Sequence, residues 1–381
     1  MENKFRFNVK TLLLALPMLL MTAFALTKGK WPQDWHHRMA FILTYAAFNA
    51  AFLLTLITGK IDRWRLILYV AVAFFFIISV LGNMNEIYGS PPLPDFEFRL
   101  NTPLCPVVIP FLLIPAALTK TVIWPGALTD SFASITFIFI MWLGASISLG
   151  RGFCSWVCFW GGADDLFSRL LPKPVIKKMP GWCKDLPFAI LLVFVLLSTL
   201  WLVPVYCAWL CPVKPLAELP AERFVRDMSM WGFHLALFIT IVVILPILTK
   251  KRTHCAYFCP LGVLQRSAEF INSFNLRIDA EKCVKCGTCI NSCNVSAVSE
   301  ELRDKGQREK TCTKCGRCID RCPTGAIHFH VKGTGTDSNR ILSKMLFIYS
   351  AFGFLAMFGG SICMDGIYRI ILFITTGSFS Q

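Results

Sequence analysis

The chain has 381 residues, of which 55% are hydrophobic and only 16% charged, with a mean hydropathy of +0.58. These values exclude an ordinary soluble domain and a disordered chain, and they place the protein among membrane proteins. The net charge of +15 comes from 38 Lys and Arg against 23 Asp and Glu. The basic residues flank apolar runs instead of forming an arm, which is the positive-inside pattern of a membrane protein and argues against nucleic acid as a partner.

Crossing a bilayer takes about 20 apolar residues per helix. In chain order, spans are predicted at 10–26, 39–58, 65–82, 131–149, 186–205, 231–249 and 343–363. Lys4, Arg6 and Lys10, followed by an apolar run and Ala23-Phe24-Ala25, imitate a signal peptide; the segment is read as the first span. The stretch 104–118 is broken by Pro106, Pro110 and Pro115 and is expected to be re-entrant or interfacial. The run 367–375 is too short to span alone. The predicted fold is an α-helical polytopic membrane protein of about seven spans; the run Cys283-x2-Cys286-x2-Cys289-x3-Cys293, spaced as in bacterial two-[4Fe-4S] ferredoxins, predicts a cytoplasmic α+β ferredoxin domain beside them. Its expected parts are N-terminal membrane helices (1–82), an outer loop with a re-entrant segment (83–130), a membrane core (131–275), the ferredoxin domain (276–335), and a C-terminal membrane helix and tail (336–381).

Loop charge sets the expected sidedness. Arg151, Arg169, Lys173, Lys177, Lys178 and Lys184 outnumber Asp164, Asp165 and Asp185, and Lys250-Lys251-Arg252 opens another basic loop, so both should be cytoplasmic. The proline-rich stretch 83–103 carries Glu86, Asp95 and Glu97 against Arg99 and should lie outside.

Seventeen cysteines carry the chemistry. Two runs, Cys283-x2-Cys286-x2-Cys289-x3-Cys293 and Cys312-x2-Cys315-x2-Cys318-x3-Cys322-Pro323, have the ligand spacing of bacterial two-[4Fe-4S] ferredoxins, in which the fourth thiolate crosses to the other cluster. One cluster is expected on Cys283, Cys286, Cys289 and Cys322, the other on Cys312, Cys315, Cys318 and Cys293. Gly287 and Gly316 suit the tight turns this needs. Asn294 departs from the pattern, standing where proline usually follows. Structural zinc is the competing reading, but zinc usually takes a single pair of C-x2-C hooks.

Three C-x3-C pairs follow apolar runs. Cys154, Cys158, Cys255 and Cys259 fall on the predicted inner face and are expected to share a third cluster. Cys207 and Cys211 fall on the predicted outer face, where Cys105 and Cys363 are candidate companions for a fourth; a Cys207–Cys211 disulfide is the alternative. Cys183 is read as inert. Inner and outer sites would stand about 30 Å apart and need an intermediate carrier. His36 and His37 are placed in an outer loop, His234 stands alone, and no paired haem ligands are read. Asp130, Glu218, Glu222 and Asp365 are acidic candidates near the interfaces. Residues 276–332 hold 11 Lys and Arg against 7 Asp and Glu, a net +4 that favours an acidic partner or the anionic inner leaflet.

The segments Gly150-Arg151-Gly152-Phe153-Cys154-Ser155-Trp156-Val157-Cys158, Cys207-Ala208-Trp209-Leu210-Cys211-Pro212 and Cys255-Ala256-Tyr257-Phe258-Cys259-Pro260 resemble the signatures of the membrane polyferredoxins (NapH, NosR C-terminal region and CcoG-like 4Fe-4S membrane proteins). Phe159 stands where that pattern has proline. The resemblance covers roughly 130–335. It implies an electron-transfer subunit of the bacterial or archaeal inner membrane, passing electrons between the quinone pool or a cytoplasmic donor and a membrane or periplasmic partner. Other respiratory subunits (iron-sulfur, cytochrome or flavin proteins) and membrane lipid are the implied partners. The alternative implied role is an assembly factor that reduces a metal or thiol on a client enzyme.

Overall fold

A computed structural model describes residues 9–88, 105–121, 135–177, 179–214, 228–335 and 340–378. The chain is mostly helical. Its longer helices are α1 (Val9–Thr27), α2 (Trp35–Thr58), α3 (Ile61–Tyr88), α4 (Ile109–Thr119), α5 (Ile135–Ser148), α6 (Phe159–Phe167), α7 (Leu186–Trp201), α8 (Val205–Trp209), α9 (Met228–Phe238), α10 (Pro260–Ser267) and α11 (Arg340–Thr376). Among the described residues three helices are long and apolar enough to cross a membrane: Trp35–Thr58, Gly232–Thr249 and Arg340–Thr376. A fourth is added if Ile135–Ser148 and Gly150–Trp156, bent by 109°, make one broken span.

The helix α11 joins two stretches that the sequence separates, because Asp365 does not end it. That carboxylate bonds the Ser79 hydroxyl of α3 and pairs with Arg369 one turn on at 3.3 Å. At about 1.5 Å per residue its 37 residues reach about 56 Å. It packs along α1, α2 and α3, so the first three helices and the last form one bundle. Small residues set the close approach: a side chain at Gly359 would strike Val72, and one at Gly366 would strike Phe75. His36 and His37 lie in the first turn of α2, capped by Asp34, and not in a loop.

Beside this bundle three units repeat one plan, an apolar helix followed by a C-x3-C turn. In the first and third units the turn leads into α6 and α10. Cys158 N–H donates to Phe153 O at 3.1 Å and Cys259 N–H to His254 O at 2.8 Å, and both cysteines then cap the next helix in extended backbone. Pro260 is ready-made for a first helical position. Phe159 performs the same task without proline, so the departure there leaves the turn intact.

The second unit differs. The helix α7 ends at Leu202 in a left-handed conformation (φ 53°), and the chain doubles back. Val205 N–H donates to Ser198 Oγ at 3.1 Å, and the Tyr206 ring meets Phe194 edge-on at 5.6 Å. Phe194 is seven residues, about 10 Å, before the end of α7. Cys207 and Cys211 are therefore carried back along the helix and do not sit beyond its end.

The ferredoxin segment is closed by a two-stranded antiparallel sheet, β1 (Phe274–Ile278) with β2 (Ile327–Val331), in register Phe274 to Val331. Phe274, Leu276 and Ile278 alternate inward, and Phe329 stacks on Phe347 of α11 at 4.3 Å. The domain is fastened to α3 by Asp320, whose carboxylate accepts from Ile61 N–H (3.0 Å) and Asp62 N–H (2.7 Å). This places an acceptor on two free donors at a helix start. Asp320→Ala should cost about 1–2 kcal/mol and expose the ferredoxin segment to limited proteolysis, with Asp320→Asn milder. Equal protease resistance of all three forms would count against the clamp.

Candidate iron-sulfur sites

All seventeen cysteines are free thiols, so the Cys207–Cys211 disulfide is not formed. In the ferredoxin domain one cavity is lined by Cys283, Cys286, Cys289 and Cys322 together with Ile278, Arg303 and Pro323. Arg308 marks the second set: its Nη1 lies 3.0 Å from Cys318 Sγ, and Cys312 and Cys293 also lie within its charge reach. Cys322 thus lies with Cys283, Cys286 and Cys289, and Cys293 lies with Cys312 and Cys318 around Arg308. Gly287 (φ 72°) and Gly316 (φ 82°) take left-handed backbone, and so do Lys285 (φ 54°) and Lys314 (φ 50°), which spacing alone did not mark.

Burial pushes the Cys315 thiol up to about 12 and the Cys318 thiol to about 11, so ligation must release protons. The sulfurs are held by hydrogen bonds: Ala297 N–H donates to Cys293 Sγ at 3.2 Å, and Cys286 Sγ donates to Thr288 Oγ1 at 3.3 Å. Such bonds tune cluster potential. Among the described residues no three His, Cys, Asp or Glu side chains converge closely enough for a single metal ion.

Asn294 is explained by docking. It is 1% exposed, its Nδ2 donates to Asp165 Oδ1 at 2.9 Å, and its carbonyl accepts from Arg252 N–H at 2.8 Å. The corresponding Pro323 is exposed.

Arg252 builds the inner site. Fully buried, it donates from Nη1 to Ser155 Oγ (2.6 Å) and from Nη2 to Cys154 O (2.5 Å), Gly161 O (3.1 Å) and Cys255 Sγ (3.3 Å). Tyr69 OH bonds the carbonyls of both Cys154 and Cys158. Asp164 accepts from Cys255 N–H at 2.9 Å, and burial raises its carboxyl to about 7. Asp165 bonds Arg65 (2.7 Å) and Arg169 (2.9 Å); burial pushes its pKa up, but Arg65, Arg169 and Arg252 outweigh that and hold it well below the ordinary carboxylate range. Sequence reading missed Arg65, Arg252 and Tyr69, whose only signal was charge or hydroxyl at the end of an apolar run.

The outer set lies elsewhere than expected. Cys105 accepts from Trp160 Nε1 at 3.3 Å, two residues past Cys158. The turn Pro106–Val108 packs on α10, which begins at Pro260, and Phe111 stacks on Tyr206 at 5.1 Å. Cys207, Cys105 and Cys259 all lie within charge reach of Cys211. The two cysteine groups are neighbours, and the separation of a membrane thickness is corrected: the fold-back after Leu202 removes it. Cys363 is corrected as a companion of Cys105, Cys207 and Cys211. It is buried in α11, and no cysteine lies within charge reach of its thiol. Asp130, Glu218 and Glu222 lie outside the described residues.

A side chain at Gly161 would collide with Tyr69 OH, the Arg252 guanidinium and Cys154 O at once. Gly161→Ala should lower iron content while the ferredoxin EPR signals persist; unchanged iron would remove this clamp from the site.

Comparison with known proteins fits this geometry. A 4Fe-4S dicluster domain matches residues 282–327, and a 4Fe-4S binding domain matches three times, at 132–178, 186–230 and 231–276, with one C-x3-C pair in each. The chain is 28% identical over 177 residues to the putative electron transport protein YccM of Escherichia coli, covering 44% of this chain and 48% of that one. It is 28% identical over 205 residues to the regulatory protein NosR of Stutzerimonas stutzeri (50% and 26%). It is 27% identical over 175 residues to the ferredoxin-type protein NapH of Haemophilus influenzae (44% and 54%). The chain spans about half the length of YccM and NapH and a quarter of NosR. No solved structure matches. The repeated cysteine turns, the dicluster domain and these relatives support a membrane polyferredoxin-like family for this chain, with 4Fe-4S binding domains across residues 132–327.

Proposed function

We propose that the chain is a multi-cluster electron relay of the bacterial or archaeal cytoplasmic membrane, joining a cytoplasmic donor or the quinone pool to a membrane or periplasmic redox partner. The observation that carries this reading is the unbroken run of thiol sets. Cys283, Cys286, Cys289 and Cys322 are outermost on the ferredoxin domain; Cys293, Cys312, Cys315 and Cys318 face the membrane helices. Next come Cys154, Cys158, Cys255 and Cys259, and beside these lie Cys105, Cys207 and Cys211. Each set would hold one [4Fe-4S] cluster, the last with a non-cysteine fourth ligand, and a bound cluster exchanges single electrons.

The protein's own residues join the stations. Arg65 lies within charge reach of Cys315 and donates to Ser155 O at 2.6 Å, so one guanidinium spans the second and third sets. Trp160 and Tyr206 bridge the third and fourth. Buried Arg252 at Cys154 and Cys255, and half-buried Arg308 at Cys318, favour added negative charge and so raise potential. A cavity lined by Arg151, Phe188, Tyr257, Cys259 and Arg266 opens beside the third set and is where a quinone ring would fit. The excess of Lys and Arg around 150–185 and 250–252 supports a cytoplasmic ferredoxin domain.

Iron analysis tests the series. The whole protein should bind about 16 iron atoms, at about four per cubane. Cys211→Ser should fall to about 12 and Cys363→Ser should stay at about 16, counting about four per cubane again. About 8 in the unaltered protein would restrict the relay to the ferredoxin domain, by the same four-iron count.

A further inference from the structure

The two turns of the ferredoxin domain are copies with opposite surroundings. Cys283-Val284-Lys285-Cys286-Gly287-Thr288-Cys289 corresponds to Cys312-Thr313-Lys314-Cys315-Gly316-Arg317-Cys318. Their backbones match through the left-handed lysine and glycine. The second turn is covered. Thr313 is 1% exposed, Lys314 is 2% exposed, and the ammonium of Lys314 pairs with Glu269 and bonds Leu149 O at 3.2 Å. A Cβ at Gly316 would press on Ile61, and Trp156 Nε1 bonds Lys314 O at 3.2 Å.

The first turn is open. Val284 is 64% exposed, the Lys285 side chain is 66% exposed, and Cys286 is exposed. A Cβ at Gly287 would meet only Asn291, at 4.0 Å. An apolar side chain with a cation beside it, next to a cluster-ligating thiol, is the composition of an interface centre and rim. Lys285 is 3.8 Å from Asp304, an exposed pair worth little, and Lys282 is 3.7 Å from Asp279, which Arg340 holds more closely at 3.0 Å. Both lysines can therefore exchange their partners for a carboxylate from outside. At the matching position Lys314 already takes one, from Glu269.

We propose that Lys282, Val284 and Lys285 form the docking face for a soluble one-electron carrier protein with an acidic rim around its redox centre. The second turn grips the membrane helices, and the first repeats that grip toward solution. The proposal rests on the relay reading for its purpose, but not for its geometry.

The test uses the full-length protein in nanodiscs, with an acidic flavodoxin as probe. Flavodoxin hydroquinone gives up one electron, becoming semiquinone, as the chain gains one. Carbodiimide should form an amide between Lys285 Nζ and a flavodoxin carboxylate, identified by peptide mass spectrometry. Val284→Asp and Lys285→Glu should each slow reduction by flavodoxin about tenfold at low salt and flatten its salt dependence. Reduction by the small neutral deazariboflavin radical should not change, and the cubane EPR signals should persist. Absent cross-links, or unaltered rates in both variants, overturn the docking face. So does loss of binding to phosphatidylglycerol vesicles in Lys285→Glu with flavodoxin rates intact, which would assign the face to lipid. A protein without cubane EPR signals would instead sink the relay reading, while cross-linking would still report on docking.

Discussion

The arrangement depends on one buried guanidinium. Arg252 holds the first cysteine turn through Ser155, Cys154 and Gly161, the third through Cys255, and the ferredoxin domain through its own N–H on Asn294. A buried cation is costly unless well paired and fully bonded. Asp164 and Asp165 lie within its charge reach, and four acceptors take its Nη atoms. Its Nε has no hydrogen-bond partner among the described residues, so the Nη contacts and the two carboxylates carry the compensation and hold the elements around Arg252 together.

That constraint extends through a chain of buried ions. Arg65 joins Asp62, Asp165 and Ser155 O; Arg169 joins Asp62 and Asp165; Asn294 bonds Asp165. With Asp320 capping α3 and Lys314 paired to Glu269, the ferredoxin domain is tied to the helices by polar contacts. Such contacts are directional, and they fix which cysteine set faces the helices. An apolar interface of equal size would hold the domain without choosing its orientation so narrowly.

Function follows from proximity more than from the number of cysteines. Two groups of thiols on opposite membrane faces would need a further carrier between them. The reversal after Leu202 and the hydrogen bond from Trp160 to Cys105 bring them side by side. The cavity between Arg151, Tyr257 and Arg266 then opens beside the middle of the series.

By itself the sequence determined the iron-sulfur chemistry, the helical character with its apolar helices, and the tight turns at Gly287 and Gly316. These are local: thiol spacing, apolar run length and glycine φ act over a few residues and leave a periodic mark. Asn294 read as a departure from the pattern, because it is explained only by what it meets in three dimensions. Only the tertiary structure decided that Cys105 and Cys207 lie beside Cys259, that Cys363 stands apart, and that Lys314 is buried where Lys285 is bare. Those outcomes rest on a chain reversal and on ion pairs between residues up to about a hundred positions apart, such as Arg65 with Asp165. Spacing along the chain carries no record of such contacts.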